Sequence, residues 1–267
     1  MYWPVYLELD MPANAEEYIQ HHLMHWQWNH TGDVTGFWTF NLDTILVSIF
    51  CGLFFLGVFY HAARKSTVHN PSRFQIFIES IVLMVDGQVT EILHKRDSSV
   101  SALALSVFVW IWLMNFMDLI PVDLLPVAFN HLGVGHFRAV PTADLSLTLA
   151  LSLSVLLFVQ YEGIKSHGLK KFTWDILSHP FPAYCFPVNI FFRLLEDLPK
   201  SISLAMRLFG NMFSGEIIFF LIALTPIWIQ WLLGWFWLGF HVFIITLQSF
   251  IFMVLTVVYI GIAKNSH

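Results

Sequence analysis

From Ile217 to Ala263 the chain carries no Asp, Glu, Lys or Arg. A run of that length has to be helical and out of water, because only a helix satisfies its own backbone groups in hydrocarbon. Arg207 stands just before this run, in RLFGNMFSGE. A guanidinium at bilayer depth costs roughly 2.5–3.5 kcal/mol on insertion scales. It cannot escape by losing its proton, since its pKa stays above about 12. A permanent charge in such a place points to function.

The rest of the chain agrees with a membrane setting. Of its 267 residues, 57% are hydrophobic and 12% charged, against about 25% charged in soluble domains. Uncharged runs predict five spans: Thr44–Tyr60, Ser98–Met117, Leu145–Tyr161, Pro187–Leu224 and Ile227–Ala263. Each of the last two would be about 54–57 Å long at 1.5 Å per residue, against a hydrocarbon core of about 30 Å. They must tilt, kink or reach into water, and they predict a long oblique hairpin. Gln75–Leu93 mixes Ile76, Phe77, Ile81, Leu83 and Met84 with Glu79, Asp86 and Glu91, so it predicts an interfacial amphipathic helix. The expected fold is an all-α integral membrane protein with one membrane domain over residues 41–267.

Residues 1–40 form an acidic segment without Lys or Arg, and its start lacks the basic and apolar regions of a secretory signal. Eleven of the 13 basic residues fall on one side of the five spans, nine between or after spans and Arg193 and Lys200 at the shallow start of the fourth, the exceptions being Arg138 and Arg207. The positive-inside rule makes that side cytoplasmic, with the N-terminus outside and the C-terminus inside. No basic tract suggests nucleic acid. Cys51 and Cys185 have no metal-ligand spacing and read as small apolar fillers.

Helical periodicity arranges the polar residues around Arg207. Ser203, Lys200, Glu196 and Arg193 behind it, and Asn211 and Ser214 ahead of it, fall within about 40° of one line at 100° per residue. A polar stripe on a membrane helix lines water, another protein or an ion path. Ala205, Gly210, Ser214 and Gly215 accompany it and predict close approach of another helix. Glu216 lies on the opposite side, about 180° round and about 13 Å further on, so it is not a direct ion-pair partner of Arg207. On the last span His241 and Gln248 share a face. A buried carboxylate and an imidazole on neighbouring helices can relay protons.

Asp118 and Asp144 flank spans two and three on the outer side, nearest the apolar runs, and Asn115 shares the face of Asp118. They are the candidates for outer proton access. Asp123, His131, His136 and Arg138 lie in the loop between these spans, and Asp43 opens the first. Among the 13 histidines only His241 is deep in a span, which leaves no bis-histidine haem site. No metal-ligand, phosphate-loop or serine-nucleophile motif is present.

The motifs SISLAMRLFGNMFSGE (Ser201–Glu216), HVFIITLQSFIFMVLTVVYI (His241–Ile260), NFMDLIPVDLLP (Asn115–Pro126) and NLDTIL (Asn41–Leu46) together resemble subunit a, or subunit 6, of F-type ATP synthases in its proteobacterial form. The resemblance runs in order over most of the chain from residue 41. It implies a non-catalytic stator in the bacterial inner membrane, without cofactor or metal, that passes protons to and from a rotating ring of c subunits. It also implies contact with the b subunits of the peripheral stalk. Arg207 matches the essential arginine facing the ring carboxylates, and Glu216, His241, Asn211 and Gln248 match the conducting polar residues. Glu196 and Ser203 become candidates for the cytoplasmic exit. The approach Phe192–Lys200, with Arg193 and Asp197, is more charged than the family pattern suggests.

Two other functional classes fit a polytopic chain. An ion-coupled secondary transporter would carry repeated halves with broken helices, and no internal repeat is visible. A haem- or quinone-binding respiratory subunit would need a ligand site that the histidine pattern does not supply. The ion could be a proton or sodium, and Glu216 with His241 favours protons.

Overall fold

Apolar runs this long become helices wherever lipid removes the competing water, and the ends of each helix are set by local chemistry. The computed structural model describes residues 27–29, 39–68, 70–119, 140–178 and 181–265. The predicted segment 1–40 lies largely outside the described residues, as do Asp123, His131, His136 and Arg138. Two short antiparallel strands, β1 (Gln27–Asn29) and β2 (Thr39–Asn41), lead directly into the first span. They are a small addition to a fold that is otherwise helical, as expected.

Among the described residues seven α-helices follow: α1 (Leu42–Arg64), α2 (Arg73–Leu93), α3 (Ser98–Phe116), α4 (Leu145–His167), α5 (Leu169–Ser178), α6 (Phe186–Ala223) and α7 (Ile227–Asn265). Five of them, α1, α3, α4, α6 and α7, are long and apolar enough to cross a membrane. The predicted spans are all present, each within a few residues except α4, which continues to His167. The sequence reading missed α5, a short helix between spans.

Capping explains the boundaries. Ser72 Oγ accepts from the Gln75 amide at 3.1 Å and starts α2. Asp97 does the same for α3, accepting from Ser99 N at 3.1 Å, and Asp144 for α4, accepting from Ser146 N at 2.9 Å. His94 ends α2 in the left-handed region, with φ 52°. Gly168 separates α4 from α5 at φ 81°, a conformation that costs a Cβ-free residue little. Pro226 stands at the turn between the two long helices and cannot continue α6, having no amide hydrogen.

The hairpin helices have 38 and 39 residues. Both are continuous in their assignment, although Pro199 inside α6 removes the amide that would bond the Leu195 carbonyl. Helix α7 is the centre of the bundle: α2, α3, α4 and α6 all pack on it. Its most apolar window is 44% buried, against 28% for α1. Val89, Met114, Leu208, Met253 and Val257 belong to the core between them. Helix α1 turns Leu46, Phe50, Leu53 and Phe54 outward. Helix α2 packs inward through Ile78, Val85 and Val89 and leaves Phe74, Phe77, Leu83 and Met84 exposed. That apolar outer side, and its exclusion from the span-competent helices, agrees with the predicted interfacial helix.

Charged ends tie the bundle at one side. Lys264 Nζ near the end of α7 lies 2.7 Å from Asp97 before α3 and 2.7 Å from buried Glu162 of α4. Lys165 adds a contact to Glu162 at 3.2 Å. The Lys264 hydrogen bond, more than any other influence, holds the Asp97 carboxyl below the usual carboxylate range.

Candidate functional site

Helix α6 is two-sided, and its sides do different things. Leu204, Ala205, Leu208, Met212, Gly215 and Glu216 are buried, while Ser203, Arg207, Asn211 and Ser214 are exposed. The predicted stripe is therefore a face turned out of the bundle. Among the described residues no hydrogen bond or ion pair engages the Arg207 side chain. One expectation needs correcting. Ala205 and Gly215 do not sit on the stripe; they are buried on the opposite side, and only Gly210 and Ser214 are exposed. Their positions fall too far round the helix from Arg207 to share its face.

Gly215 has a different task. A Cβ built there would run into the His241 imidazole. Absence of a side chain at Gly215 is what lets α6 and α7 close around that ring. The His241 ring is fully buried, flanked edge-on by Phe219 at 5.2 Å and stacked with Trp237 at 5.9 Å. Its Nε2 is 2.6 Å from Asp118 Oδ2, in the turn after α3. Glu216, next to Gly215, is also buried and is engaged within the protein. The sequence predicts a pairing of Glu216 with His241; in the structure the ring is in contact with the Asp118 carboxylate, and Glu216 lies beside Gly215, which packs on the ring.

Further polar contacts extend from this pair. Asn211 Nδ2 donates to Gln248 Oε1 at 2.7 Å, linking the exposed stripe to α7. Asn115 reaches Ser249 at 3.5 Å, and Trp112 Nε1 donates to Thr246 at 3.2 Å. Asp144, the other candidate for outer access, caps α4 and accepts from Asn41 Nδ2 at 2.7 Å. It sits against the start of α1, whereas Asp118 contacts His241 itself. Ser249, Thr246 and Trp112 were not singled out in the sequence. The two hydroxyls can bond carbonyls of their own helix, as they also do here, so alone in an apolar segment they give no separate signal.

Several buried polar atoms in this region have no hydrogen-bond partner among the described residues: Asn115 Oδ1, Asp118 Oδ1, Thr142 Oγ1, His241 Nδ1 and Gln248 Nε2. Leaving one such atom dry costs about 1–3 kcal/mol. Their concentration between α3, α6 and α7 describes a polar seam in an otherwise apolar bundle.

At the other end of α6 a second polar region forms. Glu196 is exposed and paired with Lys200 at 2.7 Å. Asp197 points inward, where Gln160 of α4 donates to it at 2.7 Å. Arg193 Nε lies 3.0 Å from Asp197. Ser152 and Ser201 share a hydrogen bond at 3.1 Å. Ser203, the other predicted exit residue, lies outside on the Arg207 face.

Comparison with known proteins shows the family to which such a chain belongs. The family model described as ATP synthase A chain matches residues 45–261. The "ATP synthase subunit a" of Coxiella burnetii is 50% identical over 256 residues, covering 95% of this chain and 97% of that protein. The proteins of the same name from Shewanella putrefaciens and Chromobacterium violaceum are 44% and 42% identical. The first covers 95% of this chain and 97% of its own length, the second 96% and 100%. With five membrane-competent helices, an outward polar face and a family match across nearly all of them, this chain belongs to the ATP synthase A chain family.

Proposed function

We propose that the chain is the proton-conducting stator subunit of the Fo sector of a bacterial ATP synthase. The observation that carries this reading is the exposed Arg207, with no partner among the described residues, on the outward face of a membrane helix. An unpaired guanidinium there is stabilised by a carboxylate supplied from outside the chain. A carboxylate on a rotating c-subunit ring meets that need.

Protons enter from the outer side by Asp118, with Asp144 and Asn115 at the mouth. They pass Glu216 and His241 and reach the ring beside Gln248 and Asn211. The Asp118–His241 contact and the Asn211–Gln248 hydrogen bond support this route, as do the unsatisfied polar atoms around them, which water can bridge. After nearly a full turn the ring carboxylate releases its proton near Glu196 and Ser203. Arg207 holds each arriving carboxylate ionised and repels a proton that would pass straight between the half-paths. A charge crossing the field gains about 2.3 kcal/mol per 100 mV, which drives rotation.

This chain contributes conduction, not catalysis, and the nucleotide chemistry belongs to other subunits. Its N-terminus is periplasmic and its C-terminus cytoplasmic, which places the Lys264 cluster on the inner side. The b subunits of the peripheral stalk hold it against rotation. ATP-driven proton pumping by inverted membrane vesicles tests the reading. Arg207→Ala should abolish pumping, and Arg207→Lys should fail too, since a lysine desolvated against the ring can lose its proton. Normal coupling in Arg207→Ala vesicles would sink the proposal.

A further inference from the structure

Between the lower part of α6, the inner half of α4 and the end of α7 lies a cavity of about 50 Å³. Four charged side chains line it, Arg193, Glu196, Asp197 and Lys200, together with Ser152 and Ser201. That volume accommodates roughly three waters, and its polar walls offer them partners. Tyr259, Ile262 and Ala263 line it on the α7 side. Lys200 is seven residues before Arg207, so the cavity begins about 10 Å below it along the helix.

The two carboxylates in this cavity are not equivalent. The Glu196 side chain is 59% exposed and turned to the outward face, while that of Asp197 is 12% exposed. Asp197 is also fixed from a second helix. Gln160 Nε2 donates to its Oδ2 at 2.7 Å, Arg193 Nε stands 3.0 Å from the same oxygen, and Lys200 Nζ is 3.6 Å from Oδ1. With Glu196 included, two cations face two anions and the cavity is neutral.

Resting on the proton-conducting reading above, we propose that Asp197 is the positioning residue of the cytoplasmic proton mouth: held by Gln160, it cancels Arg193 and Lys200 and keeps a hydrated path open to positive charge beside Arg207. Without it, the cavity carries an uncompensated positive charge within two turns of a second one. Protons leaving the ring would then meet a barrier in place of a neutral pool. Glu196 alone cannot supply the compensation, because its carboxylate lies in a more exposed position and is already engaged by Lys200. The role is electrostatic, so the same neutrality reached another way should serve.

The experiment measures passive proton permeability in vesicles carrying the complete complex after removal of its soluble sector. Assembly is checked by the amount of this chain retained with the c subunits. Asp197→Asn should lower permeability about tenfold, the scale expected for one unbalanced charge at close range. Adding Arg193→Gln to it should restore permeability to within about twofold of the parent, since charge balance returns. Parental permeability in an assembled Asp197→Asn complex overturns the proposal. So does a double variant as impermeable as Asp197→Asn, which would make Asp197 itself an obligatory carrier. If Asp197→Asn does not assemble, the neutral double variant decides alone: near-parental permeability supports the role, and a tenfold loss overturns it. Arg207→Ala assayed for ATP-driven pumping in parallel separates this result from failure of the conducting reading.

Discussion

A glycine and a histidine define the tightest constraint on the polar seam between α3, α6 and α7. His241 is fully buried with Nε2 on Asp118, and the space for its ring exists because Gly215 has no side chain. Gly215→Ala should force the ring or the helices apart at a cost of about 1–3 kcal/mol. The expected outcome is a lower thermal midpoint of the purified chain and a clear loss of ATP-driven pumping. An alanine variant with parental stability and pumping would show that the ring has room to move. The helical count from the sequence separated Glu216 from Arg207, and the structure agrees: one is buried and the other faces outward. The Asp118 contact could not be read from sequence, because 123 positions separate the two residues. Only the packing of α3 on α7 brings them within reach.

Helix ends carry the stability that can be tuned by pH. Asp97 caps α3 and binds Lys264 of α7 at 2.7 Å. Folding lowers its pKa, so the ion pair contributes fully above the unfolded value of about 3.9 and fades as pH falls through the lower folded value. Asp97→Asn keeps the cap but removes the charge. Because both side chains are partly exposed, the loss at neutral pH should be about 0.5–1 kcal/mol. In thermal unfolding of the chain in lipid nanodiscs, the gap between variant and parent should begin to narrow below about pH 4 and close once the pH has fallen past the lower folded value. A gap that persists there would assign the effect to the cap. Element boundaries were legible in advance where Pro226, Gly168 or an Asp or Ser cap marks them. Helix α5 was not, because ten residues with lysines and a tryptophan give no span-length signal.

Among the described residues, α6 presents a polar face to the surroundings of the bundle. Ser203, Arg207, Asn211 and Ser214 are exposed together, among outward-facing leucines and phenylalanines. If this face meets a c-subunit ring, single cysteines at Ser203, Asn211 and Ser214 should cross-link to c subunits in native membranes. A cysteine at Leu208, buried among the helices, should not. The exposed native Cys185 is replaced first, and the buried Cys51 can stay. Equal cross-linking from both positions, or none from the stripe, would contradict the assigned face. Ala205 and Gly215 serve the interior packing, as their angular distance from Arg207 requires, so smallness alone does not assign them to the outward face.

The sequence by itself determined the class, the spans and the polar line through Arg207, because hydropathy and the 3.6-residue turn are local properties that lipid enforces. It also determined that Arg207 and Glu216 face apart. Tertiary structure decided which long-range pairs form: Asp118 with His241, Asn211 with Gln248, Asp97 and Glu162 with Lys264, and Asp197 with Gln160. Those pairs depend on which helices become neighbours and at what height. A charge in an apolar segment announces that it needs a partner, but only the packed helices name the residue that answers.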